Sequence, residues 1–127
     1  GKNCDVIIAD LSKKESILKL KELHPLIIVD DASHLWSHQI SALIYLYDAL
    51  PSGGIYILED LGTSFSVNKN YCDASICAYD FCSAIAEVTT SKKPLRGDHL
   101  FKAEIESIGM RTEMISFICG SCIMIKK

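Results

Sequence analysis

Two short β-branched runs, Leu26 to Val29 and Ile55 to Leu58, bracket an amphipathic stretch, and each ends in a pair of acids, Asp30-Asp31 and Glu59-Asp60. Strand, helix and strand joined by short turns pack most readily as a parallel pair with a crossover, so this stretch predicts the heart of an α/β sheet. Between Ser37 and Leu50 the apolar residues Ile40, Leu43, Ile44, Tyr47 and Leu50 recur at three- and four-residue intervals, the stripe of a helix laid on a sheet. Pro51-Ser52-Gly53-Gly54 stops it. The continuous apolar character of Leu26 to Val29 predicts a strand buried on both faces. Upstream, Asp5 to Ala9 reads as a strand, and Ser12 to Leu23 as an amphipathic helix closed by His24-Pro25, since proline disfavours helical geometry in the residue before it. Downstream come a polar loop from Gly62 to Asn70, a helix from about Cys72 to Glu87, a loop through Ser91 to Asp98, and a further helix that Gly109 terminates. Arg111 to Ile118 and Cys122 to Ile125 around Gly120-Ser121 read as an antiparallel hairpin.

The 127 residues suffice for one packed domain, expected to span 1–127. A formal net charge of -3 offers no field to hold a polyanion, so a nucleic-acid partner is not expected. The apolar runs fall far short of the roughly 20 residues that span a bilayer, and no apolar stretch follows Gly1-Lys2-Asn3, so neither a membrane span nor a signal peptide is expected. Six cysteines accompany an ordinary aliphatic core and read as reduced cytoplasmic thiols. Cys77 and Cys82 share a face with Ala78, Phe81 and Ile85, as small buried hydrophobes would. Cys119-Gly120-Ser121-Cys122 lacks a second ligand pair and is flanked by strand on both sides, which makes it a hairpin turn rather than a zinc or redox motif.

Ligands of open parallel sheets bind beyond the carboxyl ends of the strands, and every strand end here is acidic: Asp10, Asp30-Asp31, Glu59-Asp60. If the second and third strands are neighbours, about 4.8 Å apart, Asp31 and the Glu59-Asp60 pair meet over one small volume. Such carboxylates repel one another unless a cation lies between them, and hard oxygen ligands favour magnesium, with manganese or calcium as substitutes. Each acid alone reads equally as a solvated loop residue, and Asp31 or Ser33 as the cap of the following helix. His34 lies three residues after Asp31 and carries imidazole, the side chain suited to proton abstraction near neutral pH. His38, one helical turn on, is an equivalent candidate. Ser33 beside His34 makes no hydrolase, because no strand-to-helix nucleophile elbow surrounds it.

The segment Ile27-Ile-Val-Asp-Asp-Ala-Ser-His34, then His38-Gln39, then Leu50-Pro-Ser-Gly-Gly-Ile-Tyr-Ile-Leu-Glu-Asp-Leu61 and Thr63-Ser64-Phe65, resembles the metal-dependent class I S-adenosylmethionine O-methyltransferases of macrolide-sugar, cephalosporin and rhamnosyl biosynthesis. Ala32 stands where that family usually has glycine, Ser52 within its proline-glycine turn, and Phe65 in place of tyrosine. The resemblance implies a Rossmann-like methyltransferase fold. It implies that Asp31, Glu59 and Asp60 hold magnesium or manganese, that His34 is the base, and that Asp10 and Asp30 line the S-adenosylmethionine site. The reaction implied is transfer of the sulfonium methyl to a hydroxyl of a sugar or other polyhydroxyl small molecule.

The glycine-rich turn that admits the cofactor's amino-acid end in such enzymes is absent from this sequence. The likeness begins at what would be the family's third strand, so the chain looks like the C-terminal portion of the fold without its first two strands. It is therefore expected to be inactive alone, to bind the cofactor weakly, and to form a homo-oligomer through the sheet edge left bare. The alternative is a non-catalytic oligomerising or binding domain derived from a methyltransferase. A phosphohydrolase is disfavoured, since neither a lysine nor a phosphate-binding glycine turn accompanies the acids.

Overall fold

The two acid-terminated runs do pair side by side. In the computed structural model, which describes residues 4–67 and 69–127, β1 (Ile27–Asp30) and β2 (Ile55–Leu58) run parallel, in register from Ile27 opposite Ile55 to Asp30 opposite Leu58. The Gly1-Lys2-Asn3 terminus and Asn68 of the expected Gly62 to Asn70 loop lie outside the described residues. β3 (Thr112–Ile118) and β4 (Ser121–Lys126) form the expected hairpin, and β4 adds antiparallel to β2 with Leu58 opposite Cys122. The sheet order is therefore β1-β2-β4-β3. This register carries the hairpin turn, where Cys119 and Gly120 both take positive φ, to the carboxyl ends of β1 and β2.

Period-2 alternation turns Tyr56 and Leu58 of β2, and Cys122 and Met124 of β4, into one buried layer. Against it pack Ile40, Leu43 and Leu46 of α2 (Trp36–Leu46) and Phe81, Cys82 and Ile85 of α3 (Ala78–Ser91). Ile17 of α1 (Lys14–Lys21) and Ile105 and Ile108 of α4 (Lys102–Met110) complete this core. Among the described residues no helix is long and apolar enough to cross a membrane. All six cysteines are free, and Cys77, Cys82 and Cys122 are buried as small hydrophobes.

Four expectations are corrected. Residues 5–9 form no strand, and Ile8 is 99% exposed, because a β-branched run becomes a strand only against a partner ladder and β1 is paired on one side only. β1 is not buried on both faces: Ile27 and Val29 are 57% and 56% exposed, since the helices cover the other side of the sheet. Gly109 does not stop its helix but lies inside α4, buried against Val88, and α3 likewise begins later than expected, at Ala78.

Candidate active site

The ladder between the parallel strands continues one step past the last paired residues: the Glu59 backbone N–H donates to the Asp30 carbonyl at 3.0 Å. Asp31 and Glu59 are thereby the next residues on adjacent strands at one edge of the sheet. Asp60 then takes left-handed backbone geometry, φ 56° and ψ 32°, a conformation costly for a non-glycine residue and concentrated at functional sites. Its carbonyl accepts from the Thr63 N–H and hydroxyl at 3.1 and 2.9 Å, while the Leu61 N–H donates to Gly120 O at 2.6 Å. The sharp turn is thus tied both to the short 3-10 segment Leu61–Phe65 and to the β3–β4 turn.

This turn sets the Asp60 carboxylate against His34, with Oδ2 2.9 Å from Nδ1. An imidazole that donates from Nδ1 to a carboxylate keeps its Nε2 lone pair free to accept a proton. The rings of Tyr71 and half-exposed His34 meet nearly at right angles with centroids 6.0 Å apart, a contact from a segment that the sequence did not connect to the site. His38 is not equivalent, because its Nδ1 is engaged by the Ser33 hydroxyl at 3.0 Å rather than by a carboxylate.

Gln39 of α2 is buried and donates from Nε2 to the Glu59 carbonyl at 3.0 Å. Its Oε1, like Trp36 Nε1, is buried without a hydrogen-bond partner among the described residues. The Asp31 and Glu59 carboxylates accept no hydrogen bond and form no ion pair there either. No three His, Cys, Asp or Glu side chains among the described residues are drawn together as a finished metal centre. The donor chemistry nonetheless suits a hard divalent cation: two unengaged carboxylates at adjacent strand ends, a third with one oxygen given to His34, and an orphaned amide oxygen on the residue that fixes Glu59.

The other two acids are differently placed. Asp30 is buried and receives the Tyr56 phenol at 2.8 Å; burial pushes its carboxyl above the usual range, an effect the Tyr56 bond partly offsets. Asp30 also lines a cavity of about 300 Å³ with Leu11, Leu20, Ile28, Ala32 and Leu46. Asp10 is exposed and closes the turn into α1, accepting from the Ser12 N–H and hydroxyl at 3.0 and 2.7 Å, so it is Leu11 beside it that reaches the cavity wall.

Neither Asp31 nor Ser33 caps α2. That role falls to Asp73, which accepts from the Ser37 N–H at 2.9 Å and from the Ser37 hydroxyl, 36 residues away in sequence. Burial raises the Asp73 carboxyl, but the Ser37 bonds outweigh it and hold the group below its ordinary range. A depressed carboxyl contributes stability above its unfolded pKa and loses it as pH falls through the folded value. Asp73→Asn keeps an oxygen for the Ser37 N–H but loses the charge, so it is expected to cost about 0.3–1 kcal/mol near pH 7, the worth of a carboxylate at a helix N-terminus, and almost nothing near pH 2. Urea titrations at both pH values check this, and an equal loss at each would show that charge plays no part.

Sheet order and helical layer are those of part of a Rossmann-like α/β fold, with β1 and β2 the only parallel pair among the described residues. The structure superposes on the MycE methyltransferase of the mycinamycin biosynthetic pathway, solved with Mg, SAH and mycinamycin VI, at a TM-score of 0.72 and 16% identity, covering 96% of this chain and 31% of that one. A second crystal structure of that enzyme, with Mg and SAH, gives a TM-score of 0.74 over 96% of this chain and 32% of the other. In sequence, 61 residues are 38% identical to the 8-demethyl-8-alpha-L-rhamnosyl tetracenomycin-C 2'-O-methyltransferase of Streptomyces olivaceus, 46% of this chain and 16% of the relative. The 8-demethyl-8-(2-methoxy-alpha-L-rhamnosyl)-tetracenomycin-C 3'-O-methyltransferase of that organism is 44% identical over 39 residues, 31% of this chain and 10% of its own length. No protein-family model matches the sequence. In sequence, then, the chain resembles rhamnosyl tetracenomycin-C O-methyltransferases, and in fold a methyltransferase solved with Mg and SAH, and it spans less than a third of the length of the relatives it matches.

Proposed function

We propose that this chain is the C-terminal, base-bearing and metal-bearing part of an S-adenosylmethionine-dependent O-methyltransferase acting on a hydroxyl of a sugar or other polyhydroxyl small molecule. The observation that carries the reading is the His34–Asp60 pair set at the strand edge shared by Asp31 and Glu59. His34 receives the acceptor hydroxyl's proton at Nε2 while Asp60 orients the ring through Nδ1 and stabilises the charge it gains. Asp31, Glu59 and Asp60 would hold magnesium or manganese, which when bound would supply Lewis-acid stabilisation of the charge developing on the acceptor oxygen. Gln39 keeps the Glu59 backbone in register with β1. The cavity walled by Leu11, Ile28 and Asp30 is apolar apart from that one acid and suits the cofactor's adenine end.

The same reading makes residues 1–127 one domain of a cytoplasmic protein, in keeping with its six free thiols, and makes the free side of β1 an assembly surface. Leu26, Ile27 and Val29 leave there an apolar strand edge of the kind that templates another chain, so a homo-oligomer is proposed. Titrating Mn2+ into the chain and following paramagnetic broadening of backbone amides tests the metal assignment. Broadening centred on Asp31, Glu59 and Asp60, lost in Glu59→Gln, is expected. Broadening spread over all surface acids alike would sink it. Light scattering on the same sample is expected to give at least twice the 14.0 kDa chain mass, and a monomer at every concentration would remove the assembly surface.

A further inference from the structure

Beside the carboxylate edge lies a concavity that none of these roles uses. Leu61 and Gly62, which follow Asp60 directly, share it with Phe65, Tyr79 of α3, Phe117 of β3 and the turn at Cys119 to Ser121. It encloses about 320 Å³, at the small end of ligand pockets, which suits one or two rings rather than a whole glycoside. Three rings form a continuous wall: Phe65 and Tyr79 have centroids 4.8 Å apart at 59°, and Tyr79 and Phe117 5.4 Å apart at 53°. Phe65 and Phe117 are nevertheless 68% and 40% exposed, so this aromatic stack is not part of the core. It is an apolar patch held open to solvent by three elements distant in sequence.

Two further features narrow the occupant. The lining contains no charged side chain although it adjoins an edge of three acids, which selects for a neutral ligand portion. The Tyr79 and Ser121 hydroxyls have no hydrogen-bond partner among the described residues, leaving a donor and an acceptor free beside the rings. Leu61 and Gly62 follow Asp60 directly in the chain, so the concavity adjoins the turn that carries the Asp60 carboxylate.

We infer that this cavity is an acceptor subsite that takes a flat, uncharged ring attached to the sugar being methylated, stacked on Phe65, Tyr79 and Phe117. The inference rests on the proposed methyl transfer for the word acceptor, but its binding chemistry is independent of catalysis. Phe65 and Phe117 supply ring faces and edges, and Tyr79 a ring plus a phenol that can bond an oxygen on the ligand.

The test compares p-nitrophenyl α-L-rhamnopyranoside with methyl α-L-rhamnopyranoside, which differ only in the flat ring, by titrating each into the chain and following the ring protons of the three residues by NMR. The p-nitrophenyl glycoside is expected to bind about tenfold more tightly, the worth of roughly 1.4 kcal/mol, and to move the Phe65, Tyr79 and Phe117 signals. Phe65→Ala and Phe117→Ala are each expected to erase most of that preference. Phe65 is exposed enough that its removal leaves the fold intact, so it decides the matter even if Phe117→Ala unfolds. Equal binding of the two glycosides, or a preference untouched by Phe65→Ala, overturns the subsite. Ring-selective binding without any methyl transfer in protein with a complete cofactor pocket would overturn the proposed function and leave the subsite standing.

Discussion

Replacing His34 with alanine is expected to slow methyl transfer to a sugar hydroxyl about 100-fold or more at neutral pH while S-adenosylmethionine affinity changes less than about twofold. The expectation comes from the division of labour at the ring. Nδ1 is committed to Asp60 at 2.9 Å, so the opposite nitrogen is the one presented to an incoming hydroxyl, and the half-exposed ring leaves it accessible. His34 does not line the apolar cavity on the Asp30 side, so cofactor binding has no reason to follow. Two companions sharpen the result. Asp60→Asn removes the carboxylate that fixes the tautomer and is expected to lower the rate about tenfold or more. His38→Ala, which loses the Ser33 hydrogen bond and an electrostatic interaction with Asp73, is expected to cost at most a few-fold. Single-turnover rates on protein with a complete cofactor pocket read these effects directly. Equal losses for His34→Ala and His38→Ala would remove the assignment of the base.

How much of this was legible in the sequence depended on how local the determinant was. β1, α2, β2 and the terminal hairpin were readable because the hydrophobic period, Pro25, Pro51-Ser52-Gly53-Gly54 and Gly120 all lie within or beside the elements they delimit. The acids at the strand ends were readable for the same reason, since parallel pairing of two short strands leaves them little choice but one edge. Residues 5–9 misled because β-branched composition reports a preference for extended chain, not the presence of a ladder to join. The cap of α2 was out of reach: Ser33 and Asp31 had the right chemistry close by, but Asp73 arrives from a loop 36 residues on. The pairing of His34 with Asp60, the edge contact of Tyr71, and the aromatic wall of Phe65, Tyr79 and Phe117 likewise depend on how distant segments meet at the end of the sheet. Only Phe65 carried a hint, as the residue standing where the resembled family has tyrosine.

Gly109→Ala is expected to destabilise the fold by about 1–3 kcal/mol, although alanine is the better helix former by about 1 kcal/mol. A terminating glycine would resist alanine through its left-handed backbone, but Gly109 is not among the positive-φ glycines; it lies within α4, where a Cβ would come 2.6 and 2.7 Å from Cβ and Cγ1 of Val88 and 3.1 Å from the Ile85 carbonyl. Val88 is fully buried in α3 and has nowhere to move, and the Ile85 oxygen is backbone, so relief requires α4 to back away from α3. That displacement would also strain the bond from the Thr89 hydroxyl to the Gly109 carbonyl at 3.3 Å, and the approach of Lys92 Nζ to the same oxygen at 3.5 Å. Overpacking therefore outweighs propensity. Val88→Ala alone opens a small cavity and is expected to destabilise as well, but in the double variant the new methyl occupies the space the valine vacated. The two losses should consequently fall short of additivity by about 1 kcal/mol or more, a coupling that urea unfolding of the four proteins measures. Additive losses, or a Gly109→Ala variant more stable than the parent, would mean that α3 and α4 do not pack through this glycine.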